Sequence, residues 1–241
     1  MAGILISFDG LDSSGKATQA GVLFSHLEHR GALVKKIESP DYTTSSGKEL
    51  KLRLQGKIGD WAHTPWQEKM KYFADNRAEH KEEVQDILRQ NGIVIYDRYV
   101  PSSMAFMVEE AKASEIPHSF SEGGSRVDRK MIHKAVRELE CDINGMPREN
   151  ISLFFDVPSK IAIDLLEGRK GKAGEEDEHT DHISVQEALH AEYIRMCQEN
   201  PGAMMHIVCV NDGQLRTIDD IAKEVRTRLA QTFPEHVQFF S

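Results

Sequence analysis

Residues 10–18, Gly-Leu-Asp-Ser-Ser-Gly-Lys-Ala-Thr, form a glycine-rich stretch between the apolar run Ile4–Phe8 and a helical pattern. A strand, a Gly-x4-Gly-Lys loop and a helix in this order are typical of a phosphate-binding loop. Gly10 and Gly15 allow the backbone to curl so that successive N–H groups face an anion. The helix adds the positive end of its dipole, and Lys16 reaches the β- and γ-phosphates. The stretch therefore predicts an ATP site, with an ordinary glycine-rich turn as the alternative.

The predicted ATP-binding residues belong to this loop and to the first helical turn: Gly10, Asp12, Ser13, Ser14, Gly15, Lys16, Ala17 and Thr18. Ala17 stands where a Ser or Thr hydroxyl normally ligates Mg²⁺. Either Thr18 takes over part of that role, or carboxylates hold the metal through water. Because a carboxylate is repelled by phosphates, we expect Asp12 to face another group, such as a sugar hydroxyl of the acceptor. An Asp that only bonds its own turn is the alternative.

Short apolar runs alternate with longer helical patterns along the chain. The runs are rich in β-branched and aromatic residues, as central parallel strands are. This alternation predicts an α/β fold with a doubly wound, five-stranded parallel sheet flanked by helices, in which ligands bind beyond the carboxyl ends of the strands. The predicted strands are Ile4–Phe8, Leu33–Ile37, Ile93–Tyr96, Ile151–Phe155 and His206–Val210. The predicted helices lie near 16–30, 65–90, 126–140, 158–167, 183–199 and 217–231.

The length of 241 residues suits one α/β core, so we predict a single P-loop domain over 1–241. Residues 114–125 are expected to form a loop. Residues 168–180 are charged and glycine-rich with no apolar period. They form either a solvated linker or a lid that closes over a ligand.

Composition limits the class of protein. The chain has 39% apolar residues, 29% charged residues and a net charge of −9. No apolar run approaches the roughly 20 residues of a membrane helix, and we expect no signal peptide and no membrane partner. Cys141, Cys197 and Cys209 lack metal-like spacing, which favours reduced thiols in a cytoplasm. The acidic total argues against a nucleic-acid partner but not against a nucleotide ligand.

A second set of candidate site residues follows the strand Ile93–Tyr96. Asp97, at the carboxyl end of a strand beside a P-loop, is placed to orient Mg²⁺ through water. Arg98 would reach the same crevice, where a guanidinium binds phosphate with two parallel hydrogen bonds. A buried Asp–Arg ion pair that only stabilises the turn is the alternative.

The predicted helix 65–90 carries Phe73 and Arg77 four residues apart, so both side chains share one face. A ring that stacks on a base, with a guanidinium one turn further along, forms a workable nucleotide clamp. An aromatic residue at this spacing is also common in a core.

Taken together and in this order, the motifs resemble the thymidylate kinase family. The family pattern is a Phe-acidic-Gly-x-Asp-x-x-Gly-Lys loop, a Pro-containing loop, a Phe-x-x-x-Arg helix, Asp-Arg-Tyr and a mobile lid. The corresponding segments here are Phe8–Lys16, Ser39-Pro40, Phe73–Arg77, Asp97-Arg98-Tyr99 and 168–180. The stretch from Leu139-Glu140 to Asp156-Val157-Pro158 is also similar to the family.

The resemblance implies transfer of the γ-phosphoryl group of ATP to dTMP, with Mg²⁺, by a homodimer. Asp12 would then hold the sugar 3′-hydroxyl, and Arg98 would bind the acceptor phosphate. The implied base and sugar pocket consists of Phe73, Arg77, Ser102, Ser103 and Phe106. The implied catalytic residues are Lys16, Asp97, Arg98 and Arg169. Because the P-loop itself supplies no second basic residue, a lid cation is expected, and Arg169, Lys170 and Lys172 are the candidates. Arg169 is the first choice, since its planar fork can bridge two phosphates, and a solvated charge run is the alternative.

Two departures from the family pattern concern the acceptor. Tyr42 lies after Pro40, where the family often carries an Arg, and the lid exit near Thr180 lacks the usual final Glu. These departures leave two alternatives open. One is a related P-loop kinase acting on another deoxynucleotide or a deoxynucleoside, and the other is a nucleotide-binding protein with weak or no kinase activity.

Overall fold

The computed structural model describes residues 2–114, 128–170 and 183–241. The main strands are β1 (Ile4–Asp9), β2 (Val34–Glu38), β3 (Ile93–Asp97), β4 (Ile151–Asp156) and β5 (Met204–Val208). They pair in parallel in the order β2-β3-β1-β4-β5. This topology confirms the predicted doubly wound sheet. A short antiparallel pair, β6 (Val210–Asn211) and β7 (Gln214–Leu215), follows β5.

Helices cover both faces of the sheet. They are α1 (Lys16–His29), α2 (Ser45–Leu54), α3 (Trp66–Ala78), α4 (Lys81–Arg89), α5 (Val100–Ser114), α6 (Arg129–Arg137), α7 (Ser159–Lys170), α8 (Ile183–Glu199), α9 (Ile218–Thr232) and α10 (Val237–Phe240). A π-helical segment, Glu138–Ile143, continues α6, and a 3₁₀ turn, Pro234–His236, precedes α10. No helix in these ranges is both long and apolar enough to cross a membrane.

The sheet is buried because its strands present apolar side chains to helices on both faces. Every residue of β1 and β3 is buried. On α1, Ala20, Leu23 and Leu27 recur at a spacing of three and four residues, which places them on one buried stripe. This two-sided burial explains why the strands read as continuous apolar runs rather than alternating ones.

The pairing of β1 with β3 brings the two predicted sites together. Phe8 on β1 lies opposite Asp97 on β3, so both strands end at the same edge of the sheet. The glycine-rich loop follows β1 and Arg98 follows β3, and the two segments are therefore neighbours in space although about 85 residues separate them.

Some element boundaries differ from the prediction. The helix predicted at 65–90 is two helices, because α3 packs against α5 whereas α4 turns to cover β3. The last main strand is Met204–Val208 rather than His206–Val210, since its partner β4 ends at Asp156, opposite Val208. Val210 pairs with Leu215 instead. Helices α2 and α5 and the C-terminal turns were not predicted.

Two predicted mobile segments lie largely outside the described residues. Of the loop predicted at 114–125, only Ser114, the last residue of α5, belongs to the described backbone. Of the lid predicted at 168–180, the described backbone ends at Lys170, the last residue of α7. The side chain of Arg169 also lies outside the described part.

Candidate functional site

The loop between β1 and α1 adopts backbone conformations that few side chains tolerate. Gly10 has φ +148°, and a Cβ atom there would lie 2.9 Å from the carbonyl oxygen of Phe155. Ser13 and Gly15 also have positive φ, at +60° and +85°. Gly15 is the N-cap of α1 and offers no side-chain acceptor to the first N–H groups of the helix. These groups and the helix dipole favour an anion at this position.

Lys16 places a buried positive charge beside this loop. The residue is 7% exposed, and its Nζ donates a hydrogen bond to the carbonyl oxygen of Leu11 at 3.2 Å. Burial and the nearby Arg98 lower the pKa of Lys16 to about 8, although Asp12 and two further carboxylates oppose the shift. An ammonium held in such surroundings gains stability when a phosphate approaches, because the phosphate supplies the missing negative charge.

Arg98 reaches the same loop from the end of β3. Its backbone is left-handed, with φ +68°, and its N–H donates to the carbonyl oxygen of Phe8 at 2.9 Å. The guanidinium donates through Nη1 to the carbonyl oxygen of Gly10 at 3.1 Å and through Nη2 to the Asp12 carboxylate. Burial lowers the pKa of Arg98, but Asp12, Tyr193 and Asp97 together more than offset this effect, and the pKa lies above its ordinary value.

Asp12 is thus the ion-pair partner of Arg98, and it also lies 3.7 Å from Nζ of Lys16. The expected alternative for Arg98, an ion pair with the adjacent Asp97, is not formed in the described structure. The Asp12 carboxylate therefore lies between the two cations, Lys16 and Arg98.

Asp97 is the carboxylate that could help hold Mg²⁺. Its Oδ1 is buried and has no hydrogen-bond partner among the described residues. Burial raises the pKa of Asp97, while Lys16 and Arg98 act in the opposite direction. In the described ranges, no group of three or more His, Cys, Asp or Glu side chains is arranged to hold a metal. The orphan oxygen fits a metal-bound water, and phosphate oxygens would have to supply most of the remaining ligands.

Asp9, for which no role was predicted, organises the base of the site. It is fully buried and accepts hydrogen bonds from the hydroxyls of Ser7 at 2.7 Å, Ser152 at 2.8 Å and Ser102 at 2.6 Å. The N–H of Tyr99 donates to it at 3.3 Å. Asp9 thereby links the end of β1 to Tyr99 after β3, to α5 and to the start of β4. Its position as the last residue of β1 was the available sequence signal.

A cavity of 350 Å³ opens in front of these residues. It gathers residues predicted from both motifs: Asp12, Lys16, Ala17, Phe73, Arg77, Asp97, Arg98, Ser102, Ser103 and Phe106. Five predicted loop residues, Gly10, Ser13, Ser14, Gly15 and Thr18, lie outside its lining. The sequence reasoning missed further lining residues, among them Glu38, Leu54, Trp61, Met107 and Glu110, and gave no role to Tyr42, which also lines the cavity.

Two predicted side chains sit differently from the expectation. The hydroxyl of Ser102 lines the cavity but is engaged by Asp9 and by Tyr193, whose Oη lies 3.0 Å away. Thr18 is exposed, whereas the methyl group of Ala17 belongs to the cavity wall. Ser102 therefore acts on the shape of the pocket, and Thr18 does not reach it.

The apolar part of the cavity is built by aromatic rings from α3 and α5. Phe73 packs edge-on against Trp61, with ring centroids 6.2 Å apart and planes at 76°. The Arg98 guanidinium lies over the Phe106 ring, with its Cζ 5.7 Å from the ring centroid. Leu54, at the end of α2, forms a small apolar cluster with Trp61 that also includes Phe73. A flat aromatic ligand can enter this slot with its charged end towards Arg98.

Two polar pairs join α3 and α5 near these rings. Nη2 of Arg77 donates to the hydroxyl of Ser103. Nζ of Lys69 lies 2.5 Å from a carboxylate oxygen of Glu110. Phe73 and Phe106 lie one helical turn from these pairs. The cavity is thus lined by the Arg77 guanidinium, by aromatic rings and by the cations Lys16 and Arg98.

Comparisons with known proteins concern the family and the fold of the chain. A family model described as thymidylate kinase matches residues 8–116, a range that includes every predicted site residue except Arg169. A thymidylate kinase from Fervidobacterium nodosum is 24% identical over 228 residues, covering 92% of this chain and 96% of the relative. A thymidylate kinase from Bifidobacterium longum is 34% identical over 107 residues, covering 44% of this chain and 52% of the relative. In several such shorter matches the chain spans about half the length of the relative.

Among solved structures, a thymidylate kinase from Candida albicans superposes on the chain with a TM-score of 0.66. The sequence identity is 22%, and the match covers 99% of this chain and 94% of that one. At this identity the likeness concerns the fold, and it extends over nearly the whole chain.

Proposed function

We propose that this chain, which is similar to thymidylate kinases, belongs to their family, transfers the γ-phosphoryl group of ATP to dTMP and releases ADP and dTDP for nucleotide biosynthesis. The observation that carries this proposal is the placement of Lys16 and Arg98 on either side of Asp12 at one cavity mouth. Lys16 belongs to the phosphate loop and Arg98 follows β3, and both line the cavity. Donor and acceptor phosphates would therefore meet between them.

On the acceptor side, the base of dTMP stacks on Phe73 and receives a hydrogen bond from Arg77, while the sugar lies against Phe106. Arg98 binds the acceptor phosphate, and Asp12 reaches the sugar 3′-hydroxyl. The support is that all five side chains line one cavity. In this arrangement the phosphate group of dTMP points out of the cavity towards the glycine-rich loop.

On the donor side, the N–H groups at the start of α1 and the Lys16 ammonium hold the ATP phosphates. Asp97 would hold Mg²⁺ through water, and the ion would neutralise phosphate charge when bound. Phosphoryl transfer depends mainly on positioning and charge neutralisation. Arg169, in a lid at 168–180, is proposed as the cation that reaches the transferring group.

We propose the wider setting from the same family membership. The chain acts as one P-loop domain over residues 1–241 and as a homodimer in the cytoplasm. Its partners are the two nucleotides rather than nucleic acid or a membrane, in keeping with the net charge of −9. Sedimentation velocity on the purified protein tests the dimer.

A coupled assay of ADP release across dTMP, dUMP, dCMP, dAMP and dGMP tests the reaction. We expect dTMP to give the largest kcat/KM. If dTMP gives no more turnover than dAMP, dCMP or dGMP, the proposed acceptor is wrong. Lys16→Ala serves as the inactive control, because it removes the phosphate-binding ammonium. Arg89→Lys serves as the neutral control, because its exposed pair with Asp86 lies outside the cavity.

Two observations keep a second candidate, a nucleotide-binding protein with weak or no kinase activity. Ala17 offers a methyl group where a hydroxyl usually meets Mg²⁺, and Tyr42 lines the cavity where the family often has an Arg. Calorimetry separates the two candidates. Tight binding of ATP and dTMP without phosphoryl transfer, with Mg²⁺ present, would favour the second.

A further inference from the structure

Arg77 is held from behind by a carboxylate that does not line the cavity. Arg77 is 2% exposed and Glu140 is 0% exposed. Nε of Arg77 lies 3.0 Å from each carboxylate oxygen of Glu140, and Nη2 also donates to Glu140. Burial lowers the pKa of Arg77, but the charge and the hydrogen bonds of Glu140, with Tyr99 and Tyr96, together more than offset this effect, and the pKa lies above its ordinary value. The guanidinium is therefore charged and fixed in orientation.

The hydrogen bonds of Arg77 leave a defined donor for a ligand. A guanidinium has five N–H groups. Nε–H and one Nη2–H bind Glu140, and the second Nη2–H binds the hydroxyl of Ser103. One Nη1–H binds the hydroxyl of Ser39 at 2.8 Å. Within the described residues one Nη1–H remains, and Arg77, Ser39 and Ser103 all line the cavity.

Glu140 reaches Arg77 because the chain widens its helical turns at this point. The segment Glu138–Ile143 is π-helical, with the N–H of Asn144 donating to the carbonyl oxygen of Leu139. Single π-helical turns within helices frequently occur at functional sites. This segment packs against α3, which carries Arg77, and places Glu140 directly beneath the guanidinium.

We propose that Glu140 is a positioning residue that holds the Arg77 guanidinium so that its remaining Nη1–H meets a carbonyl oxygen of the acceptor base. The inference rests on the proposed function. The class of base selected is one with a keto group at this edge, as in thymine or uracil. An exocyclic amino group, as in cytosine, would face an N–H donor and leave it buried without an acceptor, which is costly.

A second Arg–Glu pair provides the control. Nη1 of Arg137 lies 2.6 Å from Glu149, and the two side chains are 25% and 4% exposed. Arg137 ends α6, and Glu149 lies just before β4, so this pair flanks the segment that carries Glu140. Neither residue lines the cavity. Loss of the Glu149 charge tests the structural effect of breaking an Arg–Glu pair here without touching the acceptor.

The experiment compares Glu140→Gln and Glu149→Gln with the wild type. For Glu140→Gln we expect the KM for dTMP to rise about tenfold or more, because a charged, two-point hydrogen bond that positions the donor is lost. The preference for dTMP over dCMP should fall by a similar factor, and the KM for ATP should stay within about twofold. Glu149→Gln should leave both KM values within about twofold.

Three results would overturn the inference. The first is an unchanged KM for dTMP in Glu140→Gln that still binds ATP. The second is a loss of ATP and dTMP affinity by equal factors, and the third is the same rise in KM for Glu149→Gln. If Glu140→Gln shows no cooperative unfolding transition, Glu140→Asp replaces it, because this variant keeps the charge and withdraws it by one methylene. The same KM pattern is then expected at reduced size, and its absence overturns the inference.

Failure of the proposed function gives a different result. If the wild type binds dTMP by calorimetry without phosphorylating it, the kinase proposal fails while dissociation constants still test Glu140. If the wild type does not bind dTMP, both proposals fail. If the wild type phosphorylates dTMP and Glu140→Gln does so equally well, only the inference about Glu140 fails.

Discussion

The ammonium of Lys69 on α3 and the carboxylate of Glu110 on α5 form an ion pair at 2.5 Å, and Glu110 also lines the 350 Å³ cavity. The side chains are 3% and 15% exposed. On the solvent side of the same helix, Lys71 and Asp75 also approach to 2.5 Å, but the side chain of Lys71 is 64% exposed. The two pairs share their chemistry and distance and differ in burial.

This difference predicts different stabilities for two variants. Glu110→Ala should lower the free energy of unfolding by about 2–4 kcal/mol, because it leaves a buried ammonium without its carboxylate. Asp75→Ala should change it by less than about 0.5 kcal/mol, since an exposed pair is screened by water. Urea unfolding followed by circular dichroism measures both. Equal effects would show that burial does not govern these pairs.

Lys16 predicts how the use of ATP depends on pH. With its pKa at about 8 in the nucleotide-free protein, Lys16 loses its proton as the pH rises through that value. Only the protonated form attracts phosphate, so kcat/KM for ATP should fall above about pH 8. The measurement is a pH profile under conditions of limiting ATP. In Lys16→Arg the fall should be absent up to about pH 10, because a guanidinium stays protonated.

The same residue predicts a gain in stability on substitution. The ordinary pKa of 10.5 applies in the unfolded chain and about 8 in the folded one, so folding disfavours the charged Lys16 by on the order of 3 kcal/mol near neutral pH. Lys16→Met should therefore be more stable than wild type at pH 7. Between about pH 8 and 10.5 the unfolded wild type binds more protons, and its stability rises with pH. The advantage of Lys16→Met should shrink across that range, as chemical unfolding at several pH values would reveal.

The contacts of Arg98 predict that its substitution affects the kinetic constants for dTMP and ATP to different extents. Its guanidinium contacts both Gly10 and Asp12 with different nitrogens, a fork that an ammonium does not reproduce. Arg98→Lys should lower kcat/KM for dTMP by about 10- to 100-fold and affect the KM for ATP far less. Initial-rate kinetics with each substrate varied in turn provides the test. A matching loss for ATP would place Arg98 on the donor side.

The part of the site that could be predicted consists of short, contiguous motifs. The glycine-rich loop was recognisable because its function depends on consecutive backbone N–H groups. Phe73 and Arg77 were recognisable as a pair because helical spacing alone places them on one face. Asp97 and Arg98 were recognisable because the end of a parallel strand is where ligands bind.

Partners distant in the chain could not be predicted from such motifs. Asp12 pairs with Arg98, 86 residues away, and Arg77 pairs with Glu140, 63 residues away. Asp9 gathers hydroxyls from β1, from α5 and from the start of β4. Helix α2 was missed because it is a polar helix whose buried residues, Gly47, Leu50 and Leu54, meet Trp61 only after folding.

The amino-acid sequence by itself determined the alternation of strands and helices, the glycine-rich loop and the placement of Phe73 and Arg77 on one helix face. Each depends on residues within about ten positions of one another, where backbone geometry and periodicity operate. Only the tertiary structure decided which charges pair, which carboxylate is left with an orphan oxygen and which N–H of Arg77 has no partner among the described residues. Those outcomes depend on how segments far apart in the chain pack and exclude water, and local sequence does not specify that.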